Sequence, residues 1–320
     1  MPVERVCVIG AGVIGSLFAG HLAQVVDVSV LTRRQEHAEA LNEDGLRVTG
    51  RSDLRAQVSA AADPDELGPF DLGIIATKAH GLEAAASSLE ERFPEATLMT
   101  TLNGLGAEEI VRAHGDWPLV SAVTFMSGTK HSDTEVEYIL DTATWMGPYD
   151  DTPVESVEEI GDLVRRSGLK AEVFEDLRPA QWSKLIFNAT VNSVAALTGL
   201  PHERHFAEED ETTDLGHLVR DLVDEGKAVA AAAGVELYED PWEMNVLATR
   251  RGSAHYPSML EDVEAHRETE IDLITGSLVR EAERHGVPVP LHTALYRLVK
   301  AKEASWRGDI QSISRAHQEA

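Results

Sequence analysis

The chain has 320 residues, of which 43% are apolar, and carries 55 acidic against 28 basic residues for a net charge of −27. This length allows two domains with large cores, while the negative charge argues against nucleic acid and anionic membranes as partners, because their phosphates would be repelled. With no apolar run long enough to span a bilayer, no signal segment before the first strand and a single cysteine, Cys7, we expect a cytoplasmic protein.

The first motif combines an apolar strand, RVCVIG, with a glycine turn and a helical pattern. Its glycines fit the pattern G-x-G-x-x-G in the strand-turn-helix context of dinucleotide-binding proteins. Glycines permit the tight turn and the close approach of a pyrophosphate, which the helix N-terminus attracts. We therefore predict a dinucleotide site on Gly10, Ala11, Gly12, Val13, Ile14 and Gly15.

The end of the second predicted strand indicates which dinucleotide binds. Residues 28–31 are followed by Thr32, Arg33 and Arg34, where a site for NAD would be expected to carry an acidic residue for the ribose hydroxyl. A guanidinium can instead bind a 2′-phosphate through two parallel hydrogen bonds. Arg33 is the better placed, so the sequence favours NADP(H). The alternative is that both arginines face solvent at a helix start.

The rest of the first domain, residues 1–177, is predicted to complete a largely parallel sheet. Strands are expected at residues 46–51, 55–60, 70–77, 97–102, 119–126 and 170–174, with an antiparallel addition at 135–146 and a helix at 154–167. Lys78 and Asn103 follow two of these strands. The carboxyl ends of parallel strands are where open α/β sheets bind ligands.

The second domain, residues 178–320, is predicted to be almost entirely helical. Its first helix, from 179 to 199, carries Lys184, Asn188 and Asn192 at intervals of four, which places them in one stripe. One interpretation is a buried network in which the amides hold the ammonium, or a stripe that faces solvent. The other is a cleft for a small molecule, in which the lysine donates a proton and the asparagines hold a substrate.

A second polar row occurs in the segment 256–285, where Ser258, Asp262, His266 and Glu270 again stand at intervals of four. Ser258 with Glu261 fits a helix capping box, and a hydroxyl at a helix N-terminus also suits a carboxylate ligand. The simple interpretation of Glu270 is that it is an acidic residue at the exposed edge of a helix. The histidines show no metal-binding motif and no nucleophile elbow is present, so we predict no metal.

Five motifs together resemble the ketopantoate reductase family, the NADPH-dependent 2-dehydropantoate 2-reductases. They are GAGVIG at Gly10, TKA at Thr77, LNG at Leu102, WSKLIFNATVN at Trp182 and SMLEDVEAHRETEID at Ser258. The resemblance covers nearly the whole chain in the same order. It implies an α/β protein with an N-terminal Rossmann-type domain, an all-α C-terminal domain and an active site in the cleft between them.

The resemblance also implies residue roles. The family's catalytic lysine falls on Lys184 and its active-site glutamate on Glu270, which would also contact the cofactor. Its substrate-binding residues fall on Asn188, Asn192 and Ser258. Lys78 and Asn103 match residues at the nicotinamide side of the cleft, with Asn103 near the substrate as well. The expected reaction is reduction of a 2-oxo acid, ketopantoate, to pantoate by NADPH, as in pantothenate biosynthesis; the role of Asp262 stays open.

Two departures from the family pattern affect the expected cleft. The loop after the lysine helix, GLPHERHF, lacks an asparagine found in some members, and Phe125, Met126 and Ser127 replace a histidine-containing turn. Two alternatives therefore stay open: a reductase of another branched 2-oxo acid or imine, and a non-catalytic NADP-sensing protein. Besides the small-molecule substrate, we consider one further partner, a second copy of the chain in a homodimer.

Overall fold

The computed structural model describes residues 3–202, 213–250 and 256–306, and the chain divides into two compact units. The first comprises Met1–Leu102 and Ala107–Leu177, and the second comprises Asn103–Gly106 and Arg178–Ala320. Residues 103–106 thus group with the second unit, although the sequence boundary after residue 177 leaves them in the first domain. Residues 203–206 of the GLPHERHF loop lie outside the described residues.

The first unit contains an eight-stranded sheet and a four-stranded sheet. The strands are β1 (Arg5–Ile9), β2 (Asp27–Leu31), β3 (Leu46–Gly50), β4 (Leu54–Ala56), β5 (Ser59–Ala61), β6 (Leu72–Ile75), β7 (Thr97–Thr100), β8 (Leu119–Thr124), β9 (Ser127–Lys130), β10 (Glu135–Leu140), β11 (Thr144–Tyr149) and β12 (Ala171–Val173). The helices are α1 (Val13–Leu22), α2 (Gln35–Asp44), α3 (Ala79–Leu89), α4 (Ala107–Arg112) and α5 (Val154–Arg166).

The large sheet has the strand order β12-β11-β8-β7-β6-β1-β2-β5. From β5 to β8 all neighbours are parallel, whereas β11 runs antiparallel to β8 and β12 parallel to β11. Strands such as β6 are buried along their whole length, as expected for a parallel sheet covered on both faces. The predicted Rossmann-type α/β fold is confirmed.

Two strand predictions were wrong in detail, because the chain changes sheets where the sequence pattern reads as continuous. Residues 135–146 form β10 and β11, which belong to different sheets. At the change, Asp141 accepts a hydrogen bond from the Tyr138 hydroxyl at 3.0 Å and pairs with Lys170 at 2.7 Å. Likewise, residues 55–60 contribute to β4 in the small sheet and to β5 in the large one.

Helix α1 lies between the two sheets of the first unit. Its side chains Leu17, Phe18 and Leu22 are fully buried in one apolar cluster with Val8 of β1 and Val48 of β3. Burial on both sides fixes the helix, and with it the glycine turn that precedes it. Cys7 is buried in β1, as predicted, and burial raises the pKa of its thiol to about 11.

In the described residues of the second unit, all regular secondary structure is helical. Its helices are α6 (Arg178–Thr198), α7 (Asp214–Ala232), α8 (Pro241–Arg250), α9 (Ser258–Glu264), α10 (Thr275–His285) and α11 (Pro290–Trp306). Helix α6 packs against each of the others and is buried on nearly every face, so it forms the centre of the unit. Of the helices in the described ranges, none is both long enough and apolar enough to cross a membrane.

The second polar row does not lie on one helix. Helix α9 ends at Glu264, His266 adopts a left-handed backbone with φ +51°, and the Arg267 amide donates to the Asp262 carbonyl at 2.8 Å. A left-handed residue is a common way to end a helix. Glu270 therefore does not continue the face of Ser258. The predicted capping box is also wrong, because Pro257 is the N-cap and no side chain of α9 caps it.

Candidate active site

The glycine turn in the first unit fits a dinucleotide pyrophosphate. Gly10 has φ +101°, and a Cβ there would lie 3.0 Å from the backbone of Ala76. A Cβ on Gly15 would lie 1.9 Å from the Gly10 carbonyl oxygen, whereas one on Gly12 would meet nothing within 4 Å. No side chain caps α1, and the buried Thr77 hydroxyl has no partner among the described residues. The turn thus offers unoccupied donors and open space to a phosphate.

A cluster of polar side chains, which the sequence did not predict, contacts the glycine turn. Lys130 on β9 donates to the Ala11 carbonyl oxygen at 2.5 Å, and its Nζ lies 3.2 Å from His37 Nε2. Burial lowers the pKa of Lys130, while the charge of Asp133 opposes that shift. Lys130 lies 119 positions after Ala11, and no motif connects the two in the sequence.

The two arginines after β2 are both exposed but not equivalent. Arg34 donates to both carboxylate oxygens of Asp133, at 2.6 and 2.7 Å, so its guanidinium already has an acidic partner. Arg33 has no ion pair within the described part of the chain. The turn is held by the Thr32 hydroxyl, which donates to the Arg34 carbonyl at 2.8 Å. Lys78, also exposed, occupies the N-cap position of α3 beside Thr77.

In the second unit, the polar stripe of α6 is buried. Lys184 is 4% exposed, Asn188 9% and Asn192 5%, so the solvent-facing alternative was wrong. Lys184 Nζ donates to Asn103 Oδ1 at 2.8 Å, and Asn188 Nδ2 approaches the same oxygen at 3.4 Å. The side-chain nitrogen of Asn103, Nδ2, donates to Glu270 Oε2 at 3.1 Å. A lysine, two amides and a carboxylate therefore form one connected network.

Gly104 explains why Asn103 reaches this network. It has φ +100°, and a Cβ at this position would lie 1.8 Å from the Leu273 carbonyl oxygen. The following amide, Leu105 N–H, donates to that same oxygen at 3.0 Å. Only glycine allows this close approach, so the LNG motif attaches Asn103 to the segment that carries Glu270.

Burial lowers the pKa of Lys184 to about 8, and the negative charge of Glu270 partly opposes this shift. Desolvation disfavours the ammonium, whereas a nearby carboxylate favours it. At neutral pH the side chain is still largely charged, yet it can release its proton more readily than an exposed lysine. This combination suits a general acid.

The remaining predicted residues, Asn192, Ser258 and Asp262, differ in burial and in hydrogen-bond partners. Asn192 Oδ1 accepts from the Met259 amide at 3.4 Å and so caps α9 from the neighbouring helix. Ser258 is half-buried at the first position of α9. Asp262, whose role the sequence left open, is buried and pairs with Arg267 at 3.0 Å. The described residues contain no group of three or more His, Cys, Asp or Glu arranged to hold a metal ion.

Both halves of the chain match models of one protein family. Residues 6–151 match "Ketopantoate reductase PanE/ApbA", and residues 176–303 match "Ketopantoate reductase PanE/ApbA C terminal". The chain belongs to the ketopantoate reductase family. It is therefore an oxidoreductase of a dinucleotide-dependent family, as the sequence predicted.

Individual relatives match this chain over nearly its full length. A 2-dehydropantoate 2-reductase of Pyrococcus horikoshii is 30% identical over 300 residues, covering 94% of this chain and 98% of the relative. The crystal structure of a PanE/ApbA family ketopantoate reductase from Ralstonia eutropha JMP134 has a TM-score of 0.85 at 25% identity, covering 95% of this chain and 100% of the other. A ternary structure of D-mandelate dehydrogenase with NADH and anilino(oxo)acetate has a TM-score of 0.84 at 25% identity, covering 94% and 99%.

Proposed function

We propose that the protein reduces 2-dehydropantoate (ketopantoate) to pantoate with NADPH. The observation that carries this proposal is the buried Lys184, which is hydrogen-bonded to Asn103 and has a pKa lowered by burial to about 8, in a member of the ketopantoate reductase family. A lysine held in this way can act as an acid toward a carbonyl oxygen.

When bound, NADPH supplies a hydride to the carbonyl carbon of the substrate. Negative charge then grows on the carbonyl oxygen, where the Lys184 ammonium stabilises it and donates a proton. Asn103 directs the ammonium through its Oδ1 atom and holds Glu270 through its Nδ2 atom. Glu270 favours the charged form of Lys184 and so keeps the acid loaded between turnovers.

The substrate's carboxylate and hydroxyl would be held by Asn188, Ser258 and Asn192. Asn188 and Asn192 lie on the same face of α6 as Lys184, about one and about two helical turns further along. Asn192 also has a structural role, since its side-chain oxygen accepts a hydrogen bond from the Met259 amide at the start of α9. Ser258 stands next to that capped amide, at the start of α9.

The preference for NADPH is proposed from Arg33. It is exposed, it follows β2 directly, and Arg34 beside it is held by Asp133. The guanidinium of Arg33 would bind the 2′-phosphate, while Gly10 to Gly15 and Lys78 would bind the remainder of the dinucleotide. The similar D-mandelate dehydrogenase carries NADH, so both cofactors are compared in the assay.

A second candidate is reduction of a different 2-oxo acid. It is favoured by Phe125, Met126 and Ser127, which replace the expected histidine-containing turn, and by the likeness to a D-mandelate dehydrogenase with anilino(oxo)acetate. A third is an NADP-sensing protein without catalysis. The test is NADPH oxidation with ketopantoate, 2-oxoisovalerate and benzoylformate. We expect the highest kcat/KM with ketopantoate; a higher value with another acid transfers the proposal to that acid, and no turnover with any of them contradicts it.

We further propose a cytoplasmic homodimer. The buried, unpaired Cys7 suits a reducing compartment. Light scattering of the purified chain measures the oligomeric state directly, and a monomer mass would contradict the dimer.

A further inference from the structure

The segment that carries Glu270 has no helix of its own to hold it, yet both Thr269 and Glu270 are buried. The support comes from Glu303 on α11. Its Oε1 atom accepts two hydrogen bonds from Thr269, one from the amide at 2.8 Å and one from the hydroxyl at 2.7 Å. The Thr269 hydroxyl oxygen in turn accepts from the Ile271 amide at 3.2 Å. The residues on both sides of Glu270 are thereby fixed through one carboxylate oxygen.

Helix α11 also contacts Asp272, two residues after Glu270. Lys300 lies 3.4 Å from Glu303 Oε2 and donates to Asp272 Oδ2 at 2.8 Å. The Tyr296 hydroxyl donates to Asp272 Oδ1 at 2.7 Å. Glu303, Lys300 and Tyr296 of α11 therefore form hydrogen bonds with Thr269 and Asp272, on either side of Glu270.

Glu303 is 3% exposed, and burying a carboxylate is costly unless hydrogen bonds and an opposite charge compensate it. Thr269 and Lys300 supply that compensation. The buried carboxylate is the acceptor for both the amide and the hydroxyl of Thr269 and so fixes the position of the segment that carries Glu270.

We propose that Glu303 is a positioning residue for the active site, which acts through Thr269 to hold the Glu270 carboxylate against Asn103 and near Lys184. This inference rests on the proposed function, in which Lys184 is the acid. Glu303 itself contacts Thr269 and Lys300. Its effect is carried by Glu270, whose charge raises the pKa of Lys184 against the lowering by burial.

The variants for the test are Glu303→Ala, which removes the acceptor, and Glu303→Gln, which keeps an oxygen for Thr269 while removing the charge. The matched control is Glu225→Ala. Glu225 also accepts two hydrogen bonds, in its case from the backbone amides of Leu291 and His292 in α11, both at 3.0 Å. It holds the start of α11, whereas Glu303 lies near its end.

The readout is the pH dependence of kcat/KM for ketopantoate, together with the Kd of NADPH. In Glu303→Ala, the loss of activity at high pH should begin roughly one pH unit lower than in the parent, because Glu270 no longer favours the ammonium. We expect kcat to fall roughly 10-fold to 100-fold from the misplaced network, with the Kd of NADPH within a factor of two. Glu303→Gln should restore the parent's pH profile, and Glu225→Ala should lower Tm without moving the profile.

The pKa of Lys184 can also be followed without substrate. In protein with carbon-13-labelled lysine, the signal absent from Lys184→Ala identifies Lys184, and its titration should shift downward in Glu303→Ala but not in Glu303→Gln. If the parent does not reduce ketopantoate and this shift still occurs, the proposed function fails while the positioning role stands. An unchanged titration and pH profile in a folded Glu303→Ala, or the same shift in Glu225→Ala, would overturn the positioning role.

Discussion

Lys184 and Asn103 lie 81 positions apart in the sequence, and the lysine Nζ donates a 2.8 Å hydrogen bond to the Asn103 side-chain oxygen. The same asparagine donates to Glu270 at 3.1 Å. One amide therefore orients the proposed proton donor with its oxygen and the carboxylate with its nitrogen.

The first prediction concerns pH. Reduction requires the ammonium form of Lys184, whose pKa is lowered by burial to about 8. The value of kcat/KM should therefore be constant near neutral pH and fall tenfold per unit above about pH 8, because kcat/KM reports ionisation of the free enzyme. A reduction rate that stays constant up to pH 10, roughly the value for an exposed lysine, would show that no such acid is needed.

The second prediction concerns the cofactor. Arg33→Ala should lower the preference for NADPH over NADH roughly 10-fold to 100-fold, since hydrogen bonds to charged groups contribute about 1.5–3 kcal/mol. Arg34→Ala is the matched control, because Arg34 is equally close in sequence but is held by Asp133. It should change the preference far less. Equal kcat/KM for both cofactors in the parent enzyme would refute the assignment of Arg33.

The third prediction separates two asparagines of the same stripe. Asn188→Ala should raise KM for the oxo acid with little change in Tm, because the Asn103 oxygen that it contacts at 3.4 Å still accepts the shorter hydrogen bond from Lys184. Asn192→Ala should both raise KM and lower Tm, since it also removes the cap that the Met259 amide receives. Steady-state kinetics and thermal denaturation measure the two effects. A lower Tm with unchanged KM in both variants would assign them to structure alone.

The fourth prediction uses two glycines with the same backbone conformation. Gly104 and Gly106 both have φ +100°, but a Cβ would lie 1.8 Å from the Leu273 oxygen at the first and no nearer than 3.9 Å to any atom at the second. Gly104→Ala should displace Asn103 and reduce kcat at least tenfold more than Gly106→Ala, which introduces backbone strain alone. Equal losses in the two variants would indicate strain as the common cause.

The sequence predicted the parts of the site that are local. The glycine turn and the stripe of Lys184, Asn188 and Asn192 follow from spacing within single elements, and both are present as expected. The contacts between distant segments could not be derived from spacing, among them Lys130 on Ala11 and Glu303 on Thr269. The break after α9 was missed because the apolar and polar spacing continues through His266, where the left-handed backbone ends the helix.

The turnover of Lys184→Ala with NADPH and ketopantoate tests directly whether Lys184 donates the proton. Lys184 is the proposed proton donor, so kcat should fall roughly 10²-fold to 10⁴-fold, which is the usual contribution of a positioned acid. NADPH should still bind with the Kd of the parent, and the thermal transition should show a folded protein. A folded variant that binds NADPH and turns over within a few-fold of the parent would show that Lys184 belongs only to a buried structural network.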